Sequence, residues 1–496
     1  MTVATKDIPS SEQRNSTRNQ YLATIIVNLT TILYGYASGW TSSSLLILES
    51  DELTPLVDGA MNQEQRSWVT SLFAISGVVG TICYYFIADF LGRKLPLWSL
   101  AIPHGISWIL IEYGIYPWQL YLSRILAGLV SGGGFALVPI FISEISESQY
   151  VSISVLNEKI SATLRILIIR GRLGSLLMLS ANSGFLFGFL AGYYLSYFEI
   201  PYFGIILSIV FLVSFTYFPE TPSFLLRCKK EELAERSFRF YRNVKKGEPM
   251  PENIGKEWDE LQKGLEEMMK SKSKIKNNFE YKDLFKTRAG RKALIIGIVF
   301  VFMHEFCGVF TMLNYTAKIF LESGSTISPK LSAIIVGLIQ LIGTYFATFF
   351  VDRLGRKILL VLSSIGTAIC LACLGAYSYA HSIGIDVKPY SWVSIASFSG
   401  MMFLAAVGLI PLMFVVIAEV MPEKVRSIGC TICFCLSWVL AFLMVKFFES
   451  VIDQIGLFGC MFLFSICTVF GAIFIIIFIP ETKGKTYAEI AAILDR

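Results

Sequence analysis

His304-Glu305 stands inside an apolar run and is followed by Cys307-Gly308 and then Asn314-Tyr315-Thr316. It is the most unusual polar group in the chain. A carboxylate near the middle of a membrane-length segment costs roughly 2.5–3.5 kcal/mol on insertion scales. Glu305 is therefore expected to face a wet cavity or a partner. Contact with a polar solute is one use of such a position, and a buried structural hydrogen bond is the other. Other apolar runs offer Gln340 and Ser437-Trp438. The pattern does not read as catalysis: it lacks paired catalytic carboxylates, a nucleophile–base motif and metal-ligand spacing beyond weak cysteine pairs. Cys430-x-x-Cys433 and Cys370-x-x-Cys373 lie in apolar runs, where such spacing reads as packing. No metal, no cofactor and no enzymatic activity are expected.

These side chains must be positioned by membrane helices. The 496 residues are 54% hydrophobic and 16% charged, too apolar for an ordinary soluble protein. Hydropathy places about twelve segments near the ~20-residue length that crosses a ~30 Å hydrocarbon core. They fall at 21–44, 67–88, 95–114, 118–143, 172–194, 201–218, 293–321, 331–351, 358–380, 391–418, 427–449 and 456–479. Lipid cannot satisfy open backbone hydrogen bonds, so the expected fold is an all-α membrane bundle. Pro411 is expected to break the tenth segment and free carbonyls toward a cavity.

Charge sets the expected orientation. Lys and Arg collect after segments two, six, eight and ten, whereas the loop after segment one carries Asp51, Glu52, Asp58 and Glu64 against Arg66. The basic loops and both termini are thus expected in the cytosol. Membrane lipid, rather than nucleic acid, is the macroscopic partner this pattern fits. The first residues are polar and the first apolar run is long enough to span, so no cleavable signal is expected.

The chain also repeats itself. Asp89-Phe90-Leu91-Gly92-Arg93-Lys94 returns as Asp352-Arg353-Leu354-Gly355-Arg356-Lys357, 352 − 89 = 263 residues later. Pro219-Glu220-Thr221 returns as Pro480-Glu481-Thr482, 480 − 219 = 261 residues later. Two parallel halves predict a site at their interface. The expected plan is a tail over 1–20, a six-helix bundle over 21–218, a cytosolic linker with surface helices over 219–292, a second bundle over 293–479 and a tail over 480–496. One irregularity breaks the repeat. Glu419 precedes Arg426 by seven residues, but Glu144 precedes Arg170 by 26. The 19 extra residues lie within 148–169 and read as an insertion.

Together these features resemble the sugar-porter branch of the major facilitator superfamily. The likeness rests on the two Asp-x-x-Gly-Arg-Lys loops, Arg124-x-x-x-Gly128, Pro139 with Glu144, Arg170-Gly171, Pro219-Glu220-Thr221-Pro222 and Pro480-Glu481-Thr482-Lys483-Gly484. Cys307-Gly308 through Asn314-Tyr315-Thr316 is similar to insect sugar porters, including facilitated trehalose and glucose transporters. The resemblance implies the major facilitator fold, two six-helix bundles rocking about a central site. It also implies charge clusters at the cytosolic ends that hold the outward-facing state. One would join Asp89, Arg93, Glu144 and Arg170, and the other Asp352, Arg356, Glu419 and Arg426.

The departures from the family pattern are informative. The helix-seven glutamine pair falls on His304 and Glu305, the helix-five glutamine on Met178, a helix-seven asparagine on Phe310 and the helix-ten tryptophan on Phe414. The candidates left for solute contact are Glu305, Asn314, Tyr315, Gln340 and Trp438, with His304 behind them. The helix-one aspartate of proton-linked relatives falls on Ala37, which favours facilitated diffusion; Glu305 is the one residue that could restore proton coupling. The expectation is a monomeric plasma-membrane carrier for trehalose, a hexose or a polyol. A solute sensor on the same fold and a proton-coupled symporter are the alternatives.

Overall fold

A computed structural model describes residues 18–146, 159–245, 247–275, 288–421 and 426–481. The side chains of 159–175, 253, 267–275, 289, 352–353 and 426–427 lie outside that description. The first half begins with α1 (Arg18–Val27) and α2 (Leu29–Leu48), a single crossing interrupted at Asn28. It continues with α3 (Gln63–Leu91), α4 (Lys94–Ser99), α5 (Ala101–Glu112), α6 (Pro117–Ser146), α7 (Lys159–Tyr194) and α8 (Ile200–Phe215). A linker follows with α9 (Pro222–Arg227), α10 (Glu231–Tyr241) and α11 (Glu252–Ile275). The second half holds α12 (Arg288–Phe306), α13 (Val309–Asn314), α14 (Thr316–Glu322), α15 (Pro329–Leu354) and α16 (Arg356–Ser382). It ends with α17 (Ser391–Val407), α18 (Leu409–Val420) and α19 (Arg426–Phe478).

Nine helical stretches among the described residues are long and apolar enough to cross a membrane. One of them, Ile428–Phe478, turns at Gly456 (φ 74°) and makes two crossings. The pair α4–α5 and the 16-residue α8 are shorter apolar pieces, and with them the count reaches the twelve segments expected from hydropathy.

Four expected segments are not single helices: the first is interrupted at Asn28, and local chemistry explains the other three. The segment over 95–114 parts at Leu100. There Pro103 lacks the N–H that would continue the ladder, and its ring opposes the carbonyl four residues back. The segment over 293–321 is three pieces, α12, α13 and α14. Its first break is at Gly308, whose φ of +76° is costly for residues with a Cβ. The tenth segment parts at Gly408, between α17 and α18, three residues before Pro411. A proline disrupts the turn N-terminal to itself, so the break precedes it. Ser363 of α16 repairs the gap: its hydroxyl donates to the Leu404 carbonyl at 2.6 Å and accepts from the Leu409 N–H at 3.1 Å.

Helix starts follow ordinary capping rules. Asn62 accepts from the Gln65 N–H at 2.8 Å, and the Gln65 side chain accepts from the Asn62 N–H at 3.0 Å, a reciprocal cap that opens α3. Within the first half, helices meet backbone to backbone. A Cβ on Gly39 would strike the carbonyl of Phe185, and one on Gly188 would strike Gly39, so α2 and α7 pack through small residues.

The linker helices dock on the first half. Phe238 and Trp258 pack with ring centroids 5.1 Å apart, beside buried Leu261 and Leu265. Arg242 ties this small core to the bundle by donating to the Ile145 carbonyl at 3.0 Å and pairing with Glu257. The range in which 19 extra positions were inferred, 148–169, lies partly outside the described residues, at 148–158. From Lys159 onward the backbone is helical and continuous with the fifth crossing, a 36-residue helix. At 1.5 Å per residue it measures about 54 Å, well beyond a ~30 Å core.

Candidate functional site

The helix alternation puts the ends at 91, 146, 215, 354 and 420 on the face that carries both described termini. The ends at 48, 112, 194, 322 and 382 lie on the opposite face. The candidate residues fall between these faces in three groups.

The first group surrounds Glu305 at the end of α12, 5% exposed. Ser437 of α19 donates to Glu305 Oε1 at 2.5 Å, and His304 Nδ1 lies 3.2 Å from the same oxygen. A carboxylate placed in an apolar span thus finds a hydroxyl and an imidazole, which offsets part of its burial. Trp438, next to Ser437, reaches across to the first half. Its ring stands edge-on to Tyr34 (6.4 Å), Phe73 (6.4 Å) and Phe135 (6.3 Å) and covers Gly77 of α3. A polar acceptor with aromatic faces beside it is chemistry suited to a polyhydroxyl solute.

Gln340 of α15 forms the second group, with two residues the sequence reading passed over. Its amide donates to Asn182 Oδ1 at 3.1 Å, and Asn182 of α7 donates to Thr344 Oγ1 at 2.6 Å. The three side chains join the halves. Asn182 stands one helical turn after Met178, and a polar residue four positions on along the same face was the signal available in the sequence.

Asn314 and Tyr315, at the second break of the seventh crossing, form the third. Asn314 donates to the Phe310 carbonyl of its own helix at 2.9 Å. The Tyr315 hydroxyl, fully buried, lies 3.0 Å from that of Thr70 on α3 and donates to the Val445 carbonyl at 3.3 Å. None of these described hydrogen bonds joins one of the three groups to another.

Above Tyr315, toward the face opposite the termini, α3 and α19 run antiparallel as a polar zipper. Gln63 donates to Asp453 at 2.5 Å, Arg66 pairs with Glu449 at 3.3 Å, and Lys446 donates to Ser67 at 2.8 Å while its ammonium sits over the Trp68 ring. Positions 63, 66, 67 and 70 share one helical face, so the sequence carried the spacing; it did not carry the partners. Ser42 of α2 also accepts from the Ala317 N–H of α14 at 3.0 Å. This face is closed by contacts between halves.

On the terminal face the charge clusters look different. Arg93 pairs with Glu144 at 3.0 Å and with Asp89 at 3.7 Å. Glu144 also accepts from Thr221 at 2.5 Å and from Arg227 at 3.2 Å. In the second half Arg356 lies 3.5 Å from Glu419. Each of these contacts stays within one half or its linker. The side chains of Arg170, Asp352 and Arg426 lie outside the described residues.

Sequence reasoning quoted Glu220 and Glu481 only as landmarks, yet they organise both loops. Glu220 accepts the backbone N–H groups of Arg93 and Lys94 at 3.0 Å each, and Glu481 accepts those of Arg356 and Lys357 at 3.1 Å each. Gly92 (φ +91°) and Gly355 (φ +88°) turn the chain toward those carboxylates, and a Cβ on either would collide with the glutamate it serves. Burial raises the Glu220 carboxyl above its ordinary 4.5, and the N–H groups of Thr221, Arg93 and Lys94 oppose that rise.

Buried Arg124 of α6 is bound without a carboxylate among its described hydrogen bonds. It donates to the carbonyls of Val69 (3.1 Å) and Ala37 (2.8 Å) and to the Thr41 hydroxyl (2.9 Å). Its guanidinium lies over the Phe73 and Trp40 rings, 4.6 and 5.5 Å from their centroids.

Comparison with known proteins agrees with this architecture. A family model described as "Sugar (and other) transporter" matches residues 23–494. The facilitated trehalose transporter Tret1 of Polypedilum vanderplanki is 29% identical over 473 residues, 95% of this chain and 87% of that protein. Tret1 of Bombyx mori is 29% identical over 483 residues, 97% of this chain and 88% of that protein. The xylose transporter XylE of E. coli, in a partially occluded inward-open conformation, superposes with a TM-score of 0.73 at 20% identity. That match covers 94% of this chain and 99% of the other. A XylE structure bound to 6-bromo-6-deoxy-D-glucose gives 0.72 at 20% identity, over 97% of this chain and 100% of the other. The helical architecture is that of the major facilitator fold. The chain belongs to the sugar (and other) transporter family, whose members are membrane carriers rather than enzymes.

Proposed function

We propose that this chain carries trehalose or a hexose across the plasma membrane by alternating access, down its gradient, with both termini in the cytosol. The observation that carries the mechanism is the closed face opposite the termini, where α3 meets α19 and α2 meets α14 across the halves. A carrier that alternates must have one face sealed while the other exchanges solute. The trehalose transporters among the relatives support a disaccharide. Glu305, Gln340, Trp438, Asn314 and Tyr315, with His304, are the side chains that would meet it. Downhill transport is supported by Arg124. Where proton-linked relatives place an acid, this chain offers only the Ala37 carbonyl.

Radiolabelled trehalose, glucose and a polyol, offered to oocytes expressing the chain, test the reading. Saturable entry of trehalose or glucose that equilibrates without accumulating is expected. Normal surface expression with no flux of any of the three would reject it and move the chain to the sensors. One observation favours a second reading: His304 and Glu305 form a hydrogen-bonded imidazole–carboxyl pair in the core. Uptake that accumulates solute in acid medium, and loses that accumulation in E305Q, would make the carrier a proton symporter.

A further inference from the structure

We infer that Glu49, Arg66, Lys318 and Glu449 form a four-charge latch on the face opposite the termini, built so that the halves can part without stranding a charge. The inference deepens the alternating-access reading and rests on it. Arg66 Nη2 lies 3.2 Å from Glu49 Oε1 and 3.3 Å from Glu449 Oε2. Lys318 Nζ lies 3.2 Å from Glu449 Oε1 and 3.8 Å from Glu49 Oε1. Signs therefore alternate around a closed ring.

Each half supplies one acid and one base. Glu49 ends the first crossing and Arg66 opens the second, both in the first half; Lys318 in α14 and Glu449 in α19 belong to the second. Two ring contacts run within a half and two run between halves. Parting the halves breaks Arg66–Glu449 and Lys318–Glu49. It leaves Glu49–Arg66 on one side and Lys318–Glu449 on the other, each neutral and already oriented for reclosure.

The physical gain lies in the burial. Glu449 is 2% exposed and Arg66 is 7% exposed, and a buried charge that loses its only partner is strongly destabilising. A single ion pair between halves would meet that cost early in opening, before water enters. In the ring every charge keeps one counter-ion throughout. Contacts that differ between two end states bias their equilibrium, and within-half pairs that persist do not. Gln63–Asp453 and Ser67–Lys446 flank the ring on the same α3–α19 seam and break in the same motion.

The test uses Thr70, 2% exposed and one turn from Arg66, as a reporter of opening. All variants carry T70C, so the cost of that change is common to them, and labelling by a membrane-impermeant maleimide is followed from the side of the 49–62 loop. Two double variants each remove one half's pair and leave the other neutral: E49Q/R66Q and K318Q/E449Q. Each is expected to label about tenfold faster than the T70C parent, within the range of measured coupling energies. The quadruple variant is expected to match either double, because both cross-half contacts are already gone in each. Monodisperse elution and sugar uptake by the same variants show that they fold. Unchanged labelling in both doubles overturns the latch, as does a quadruple rate that multiplies the two effects. If the variants label as expected but the chain with Thr70 intact carries no sugar, the transport reading falls and the latch stands.

Discussion

Glu220 and Glu481 hold the two repeated loops in the same way, by accepting N–H groups that a tight turn would otherwise leave unpaired. An unsatisfied buried donor costs about 1–3 kcal/mol, so E220A, which abandons three, is expected to lower the thermal midpoint by several degrees in detergent. E220Q keeps one acceptor and should lose less. The pH dependence has a definite sign. Burial raises the Glu220 carboxyl above its ordinary value, so it binds a proton more tightly folded than unfolded. Its contribution is fully present below the ordinary 4.5 and is lost as pH rises through the folded value. Glutamine does not titrate, so the stability advantage of the parent over E220Q should shrink as pH rises from 4.5 through the folded value. A gap that widens with pH would contradict the burial argument. Both glutamates were visible in the sequence as a repeat. Their partners lie 127 and 125 residues upstream, and nearly equal separations in two halves were the clue to a shared contact.

The helices themselves show what hydropathy can and cannot deliver. Length and apolarity placed every crossing, because a lipid core demands them. They did not place the breaks at Leu100, Gly308 and Gly408, because a break is set by a missing N–H or a left-handed residue and leaves hydropathy unchanged. Pro411 signalled one, offset by three residues. The break at Gly308 is also packed: a Cβ there would press into the Phe464 ring. G308A is thus expected to cost roughly 1–2 kcal/mol from backbone strain alone, with further loss from the clash. Transport should fall more than stability, since the strand of helix that carries Asn314 and Tyr315 would be re-aimed. Comparing uptake per folded molecule with the thermal midpoint checks this; a loss of stability with unchanged specific uptake would leave the break a packing feature only. Ser363 gives a milder case. S363A removes the hydroxyl that serves Leu404 and Leu409 and should destabilise by about 1–2 kcal/mol.

At the scale of the whole molecule the two halves agree where they face the termini and differ where they meet each other. The repeated loops, their glutamates and the lysines that reach Thr216 and Ile476 are related half to half. The seam is not: Trp438 with Tyr34, Asn182 with Gln340, and the charged ring pair unlike residues, so no repeat in the sequence could announce them. Solute contact and closure belong to that seam, and this is why the candidate site was read only as a set of polar residues in apolar runs. Of the region that holds the 19 extra residues, the described part, from Lys159, is the first stretch of α7. With them in place, Glu144 still holds Arg93, Thr221 and Arg227, so the first cluster survives on the Glu144 side of the insertion. The extended α7 carries the excess out of the ~30 Å core at the terminal face. Removing 19 residues within 148–169 is therefore expected to leave the rate and half-saturation of sugar uptake within about twofold of the full chain, because loop length enters the energetics only slowly. Uptake confined to the shortened chain would show instead that the insertion blocks the cluster through Arg170, and that the intact protein is held inactive by its own fifth helix.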